Sequence, residues 1–390
     1  MGALRLRQRT LSQPSRGFAP LAGYGLKTAF IVLVSQRRYE KEKCTVFSTL
    51  RRLTFLFIPL VSVSLGDNDS VESTTPGTAD LGHHIKALLW QEPADITSLN
   101  LLYGAGGEKR QPHGKFTFLE EDMNGSNPKF DVRDEEGKKW KVKLGAEARP
   151  EVAATRFVWA AGYFTQEDYF LADLHVEGLP QHLHRGQKLV GPDGTFHNVR
   201  LKRSMEGEKK LQIWRWNSNP FVGTREFNGL RVLMALINNW DLKDSNNALY
   251  EDKHHDESVS LEVVYMVSDL GASFGTTAIK LSTEASKGNL EAYKRSKFIT
   301  NRTADDVDFD APGRPPLIET FNMPVFVHRV GMRTIGRHIP RADAKWLGQQ
   351  LSRLSPQQIR DAFLAAGYSQ DEANEFVTVV QGRIAELNAL

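Results

Sequence analysis

Asn238-Asn239-Trp240-Asp241-Leu242-Lys243-Asp244-Ser245-Asn246-Asn247 is the stretch on which the reading of this chain turns. Before it, Leu230, Leu233, Met234 and Ile237 recur at helical spacing, which predicts one buried helix face over 224–238. After it come Ala248-Leu249-Tyr250, a polar insertion over 251–262 and an apolar run over 263–267, the pattern of a hairpin. Ser268-Asp269-Leu270-Gly271 closes the segment. Two readings of these residues stand side by side. Asp and Asn are common turn formers, so Asp241, Asn246 and Asp269 could simply end a helix and a strand. Alternatively, two carboxylates and an amide on neighbouring loops are oxygen donors gathered for a reacting hydroxyl and a hard cation.

Upstream, the chain is rich in strand signals from Lys115 onward. Phe116-Thr117-Phe118-Leu119 and residues 129–133 flank a turn at Asn124-Gly125-Ser126-Asn127-Pro128. A second turn at Glu136-Gly137 leads into 139–144, where Trp140, Val142 and Leu144 alternate with Lys139, Lys141 and Lys143, as in a half-buried strand. Pro150 then opens a helix at a position where its missing N–H costs nothing, with Glu151 in the first turn. Strand patterns return at 169–176, 188–190 and 196–203, and Leu354-Ser355-Pro356 marks a helix start in a helical tail over 321–390. The fold class is α+β: a strand-rich first part, a helical second part and a cleft between them.

The order of these parts resembles the protein-kinase-like fold. The segment 238–247 is similar to a catalytic loop, and Asp269-Leu270-Gly271 to the metal-binding Asp-x-Gly. The resemblance covers about 113–300 and points to the divergent families: phosphatidylinositol 3-/4-kinases, toxin-type bacterial kinases and secretory-pathway kinases. It implies a two-lobed fold and an ATP- and Mg²⁺-dependent (or Mn²⁺-dependent) phosphotransferase. On it, Asp241 faces the acceptor hydroxyl, Lys243 steadies the transferring phosphoryl group, and Asn246 and Asp269 hold metal. Lys143 would contact the nucleotide phosphates, with Lys141 the competing choice, and Glu151 would pair with that lysine. Gly125 and Ser126 would lie in the loop covering the phosphates. The chain departs from the pattern at Asn239-Trp240, at Leu270 and in the long gap before Asp269, which excludes an ordinary Ser/Thr or Tyr kinase. The acceptor (protein, lipid or small molecule) is left open. Two rival readings are a catalytically inactive pseudokinase serving as a binding or scaffold module, and an extracytoplasmic metal-dependent phosphohydrolase.

Composition narrows the partners. The 390 residues carry a net charge of +3 and a sequence pI of about 8.8. Residues 1–52 hold eleven Lys/Arg against Glu40 and Glu42. Removing these from the 50 basic and 47 acidic residues leaves 39 and 45, a net of −6 for 53–390. The basic excess therefore belongs to a leader, and the body offers no footprint for nucleic acid. Arg51-Arg52 precede an uncharged apolar run over 53–65 that, at about 1.5 Å per residue, is too short to span a membrane. It has the size of a signal-peptide apolar region, with Ser64-Leu65-Gly66 as a cleavage site before Asp67, so export to the periplasm or the extracellular space is expected. The alternative is a buried helix or strand within a cytoplasmic protein. The expected organisation is a disordered leader over 1–66, a linker with a short docking helix over 67–112, a strand-rich lobe over 113–205 and a helical lobe over 206–390. His182-Leu183-His184 reads as a surface pair, Trp214 and Trp216 as a shared packed face, and the basic run of Arg200, Lys202, Arg203, Lys209 and Lys210 as a solvated hairpin.

Overall fold

The computed structural model describes residues 86–125, 127–204, 209–252, 262–276, 287–310 and 331–390. The leader, the apolar run over 53–65, Cys44 and Ser126 lie outside the described residues. No helix among the described residues is long and apolar enough to cross a membrane.

Alternating side chains close the first part into a barrel. Strands β2 (Phe116–Asp122), β3 (Lys129–Asp134) and β4 (Lys139–Lys143) form an antiparallel meander. Strands β5 (Asp168–Glu177) and β6 (Thr195–Arg203) are also antiparallel, and β6 lies against β4. A parallel pairing of Phe116 with Val176 closes the ring in the order β2-β3-β4-β6-β5. Phe130, Val132, Trp140, Val142, Phe196, Val199 and Leu201 fill its interior, all at most 2% exposed. The Trp140 Nε1 donates to Asp134 at 2.7 Å, so the largest ring in that core keeps its polar atom satisfied. The alternating lysines of β4 point out of the barrel, as the period of two requires.

Helix α1 (Ala148–Ala160) lies between β4 and β5 in the chain and packs on the outer face of β5 and β6. Pro150 is its third residue, still inside the first turn where a backbone N–H lacks an intrahelical partner. The apolar residues of α1 join a core separate from the barrel's, shared with α2 (Arg225–Leu236), α3 (Leu290–Arg295), α4 (Arg341–Leu351), α5 (Pro356–Leu364) and α6 (Gln370–Asn388). At its centre Phe157, Phe274, Tyr293, Phe363 and Phe376 meet ring to ring. Ser355 caps α5 with a reciprocal bond to Gln358, and Pro356 opens it, as its sequence predicts.

A second sheet runs β1 (Lys86–Leu88), β9 (Glu262–Val267), β8 (Asn247–Asp252), β7 (Lys209–Lys210). Here the expected docking helix is corrected: residues 86–88 are a strand parallel to β9, because pairing with a distant partner decides a short apolar segment. Residues 188–190 are corrected as well. Gln187–Leu189 is one 3₁₀ turn, and only Val190 bridges to Phe196.

Candidate active site

A tight turn builds the first half of the site. Gly145 has φ +83°, a left-handed conformation that favours glycine, and it swings the chain from the end of β4 into α1 within four residues. That turn brings together Lys143, Glu147 just before α1 and Glu151 one turn into it. The Lys143 Nζ lies 2.8 Å from Glu151 Oε2, 3.0 Å from Glu147 Oε2 and 3.1 Å from Asp269 Oδ1. Lys143 is 4% exposed and Glu151 2%. Burial works against the ammonium, but Glu151, Asp269 and Glu147 outweigh it and hold its pKa well above the usual lysine range. Between the two candidate lysines the geometry selects Lys143. Lys141 is partly exposed and pairs with Asp122 at 2.6 Å and Asp131 at 3.2 Å.

Glu151 is clamped from the other side by Arg200 of β6. The guanidinium reaches both carboxylate oxygens at 3.1 Å and also lies 3.7 Å from Asp168. The expectation that Arg200 belongs to a solvated hairpin is thus corrected: α1 covers that face of β6, leaving Arg200 2% exposed. Lys202, two residues on, shares the face and has no anionic partner among the described residues. Burial and the neighbouring Arg200 lower its pKa to about 8.

The second half comes from the loop after α2. Asn238 takes φ +53°, and its side-chain amide donates to the Gly275 carbonyl. Trp240 N donates to Ala272 O at 3.2 Å, and Phe274 N to Ile237 O at 2.8 Å. The loop is therefore laced to the residues following Asp269-Leu270-Gly271. Within it, Asn246 Nδ2 donates to the Asp241 carbonyl at 2.7 Å and to Asp241 Oδ2 at 3.2 Å. Lys243 Nζ lies 2.7 Å from Asp241 Oδ1. The Asn246 carbonyl accepts from Ser268 N at 2.8 Å, next door to Asp269. Asp241, Lys243 and Asn246 thus form one cluster, Lys143, Glu151 and Asp269 another, and the Asn246–Ser268 bond joins them.

Asp269 connects the two parts of the fold. Burial raises its pKa, and Lys143 and the Gly271 N–H reverse that, leaving the carboxyl below its ordinary value. One oxygen is engaged by Lys143, and the side chain is 40% exposed. The donor set fits a hard divalent cation. A free oxygen of Asp269 and the amide oxygen of Asn246 are the oxygen donors that the two clusters present. No group of three or more His, Cys, Asp or Glu among the described residues is placed to hold a metal ion unaided.

Gly125, at the β2–β3 turn, has φ +71°. Its hairpin is braced by Arg185, which donates to the carbonyls of Asp122 and Asn124, both at 3.3 Å. His184 is on no strand; it pairs with Glu121 at the surface. Trp214 and Trp216 pack edge to face with centroids 4.9 Å apart.

Sequence reasoning missed Glu147 and Lys287. Glu147 is 6% exposed and bridges two lysines: Lys143, and Lys287 at 2.6 Å. Burial acts to raise its carboxyl, but Lys143 and Lys287 hold it below the usual range. A carboxylate four residues after Lys143 and beyond a glycine was the available signal for Glu147; Lys287 had none.

No protein-family model matches the chain, and no curated protein matches its sequence. Among solved structures the chain is similar to a Helicobacter pylori proinflammatory kinase, CtkA, at 11% identity and a TM-score of 0.39, covering 71% of this chain and 98% of that one. It is also similar to the golgi casein kinase, at 10% identity and a TM-score of 0.31, covering 71% and 73%. The chain's own geometry carries the assignment. A strand lysine meets a glutamate of the next helix and the aspartate of an Asp-x-Gly loop, and a polar loop with Asp and Asn five apart is laced beside them. By the order and meeting of these parts, the chain has a divergent protein-kinase-like fold.

Proposed function

We propose that the chain is an ATP- and Mg²⁺-dependent phosphotransferase acting on a hydroxyl acceptor. The observation that carries this reading is the meeting of Lys143, Glu151 and Asp269 within 3.1 Å of one ammonium, from three separate elements. Groups acting on one phosphoryl transfer must share a site, and these do.

Each residue has a task that its surroundings explain. Glu151, held by Arg200, aims the Lys143 ammonium at the inner phosphates. Asn246 and Lys243 orient the Asp241 carboxylate, and Asn239 Oδ1 accepts from Asp241 N at 3.0 Å, fixing the backbone there. Asp241 accepts the proton as the acceptor oxygen bonds to the terminal phosphorus, and the bond from that phosphorus to the bridging oxygen breaks to release ADP. Lys243, 37% exposed beside it, offers its ammonium to the phosphoryl oxygens. Asn246 and Asp269 would hold Mg²⁺, which when bound supplies positive charge to the phosphate oxygens.

The test uses the full chain. Its thermal unfolding is followed with ATP, with and without Mg²⁺, and transfer of labelled phosphate is followed in the native protein and in Asp241→Asn. The expected result is a Mg²⁺-dependent stabilisation by ATP, and a loss of transfer of at least 100-fold in Asp241→Asn. Absence of any shift with ATP, with or without Mg²⁺, ends the nucleotide reading. Binding without transfer identifies a non-catalytic binding module, and release of free phosphate alone identifies a phosphohydrolase.

A further inference from the structure

Lys143 does not need Glu147. Glu151 and Asp269 already neutralise its ammonium, and burying a further carboxylate carries a desolvation cost that ion pairing seldom recovers with a surplus. What Glu147 adds is a link. One oxygen binds Lys143 at 3.0 Å and the other binds Lys287 at 2.6 Å, which sets the two ammoniums within about 8 Å of each other at hydrogen-bond lengths. Lys287 is 9% exposed at its side chain, and its Nζ lies 5.8 Å from the centre of the Trp240 ring. Trp240 immediately precedes Asp241, so Lys287 lies beside the loop that carries Asp241.

The backbone that carries Lys287 is held firmly. Gly288 N donates to Ser273 O at 2.9 Å. Gly288 has φ +59°, and a Cβ there would lie 2.3 Å from the Tyr368 hydroxyl and 3.1 Å from Pro150 Cδ. Gly271 closes the other side of Glu147, where a Cβ would meet the Glu147 Cβ at 2.7 Å. Glu147 is therefore wedged between the Asp-Leu-Gly loop and two lysines.

We propose that Lys287 is a third phosphate-binding cation beside Lys143 and Lys243, contacting the terminal phosphoryl group of the nucleotide, with Glu147 as its positioning residue. This rests on the nucleotide reading above. It differs from a structural role in one measurable respect: a contact to the terminal phosphoryl exists with ATP and not with ADP.

The test is calorimetric binding of Mg-ATP and Mg-ADP to the full chain and to Lys287→Met, Lys287→Arg and Glu147→Gln. Lys287→Met is expected to weaken Mg-ATP at least tenfold and Mg-ADP less than twofold. Lys287→Arg should recover most of the ATP affinity, and Glu147→Gln should lower it to an intermediate level. If Lys287→Met unfolds because Glu147 loses a partner, the double variant Lys287→Met/Glu147→Gln removes both charges and carries the same comparison. Equal losses for ATP and ADP, or no loss for either, overturn the proposal while leaving the nucleotide reading intact. A native chain that binds neither nucleotide overturns both.

Discussion

Replacing Lys143 by methionine tests whether the buried ion cluster is wired as described. The ammonium faces three carboxylates within 3.1 Å, and the site is enclosed. Removing one partner from a buried pair costs about 3–5 kcal/mol, because the remaining charge is left uncompensated. Here two of the three carboxylates keep another cation, Glu151 through Arg200 and Glu147 through Lys287, so the lower end, about 3 kcal/mol, is expected at pH 7. The pH dependence is the sharper readout. In the native chain the carboxyls of Glu147 and Asp269 lie below their ordinary values. Their contribution is present above the unfolded carboxyl range and is lost as pH falls through the lowered folded values. In Lys143→Met both groups lose that cation, so their folded pKa values move up toward the unfolded ones. The variant therefore loses less from these two groups than the native chain does as pH falls from 7 toward 4, while Glu151, whose carboxyl burial holds above its ordinary value in the native chain, adds a gain there. Urea unfolding of both proteins at pH 7, 5.5 and 4.5 reads this directly, and the gap of about 3 kcal/mol should narrow steadily. Parallel curves with a constant gap would show that Lys143 acts through packing and not through charge, and the cluster as drawn would be wrong.

Two further outcomes follow from single residues. Lys202 has no anionic partner among the described residues, and its pKa of about 8 lies below the ordinary 10.5. Its burial cost is therefore full below pH 8 and falls away as pH rises toward 10.5, so Lys202→Met should stabilise the chain by roughly 1–3 kcal/mol at pH 7 and by much less at pH 10, measured by urea unfolding. Gly271→Ala would set a Cβ 2.7 Å from the Glu147 Cβ. Overpacking of this kind costs about 1–3 kcal/mol, and it should weaken Mg-ATP binding as well, by displacing Glu147 from its two lysines; unchanged unfolding and binding would show that the loop moves freely.

Much of this was legible because it is local. The alternation of Trp140, Val142 and Leu144 with three lysines is a property of six residues, and it fixes which side of β4 faces the barrel core. The spacing of Asp241 and Asn246 after an amphipathic segment is local too, and their hydrogen bonds close within the loop. What was illegible depends on elements that meet from far apart. Lys141 and Lys143 point the same way along one strand, and only Gly145 and the start of α1 decide that Lys143 is the enclosed one. Arg200 looked like a member of a solvated run because the helix covering it lies some fifty residues earlier, at Glu151. Residues 86–88 carry too few side chains to declare a strand; their parallel register with β9 does so from 176 residues away. Lys287 reaches Glu147 across 140 residues, and no periodicity marks it.

On the proposed function, the same cluster governs how a nucleotide would enter. Three cations, Lys143, Arg200 and Lys287, face four carboxylates, Glu147, Glu151, Asp168 and Asp269, and Lys202, an ammonium below pH about 8 on the same face, brings the charges into balance. At Lys143 three carboxylates already lie within 3.1 Å of the ammonium, and two of them, Glu147 and Asp269, accept hydrogen bonds from it. A phosphate oxygen can reach Lys143 only by displacing one of them. Glu151 is held by the Arg200 fork, and Glu147 by Lys287. Asp269 has only Lys143 and the N–H of Gly271, at 3.3 Å, and it is the one of the three whose side chain is substantially exposed. It is therefore the carboxylate that can turn away, and it does so at least cost when a cation stands ready to receive its oxygens. A polyanion arriving alone would meet an ammonium already surrounded by three carboxylates. Nucleotide and divalent cation must on this account enter together, so equal stabilisation by ATP with and without Mg²⁺ would contradict both the order of entry and the role of Asp269.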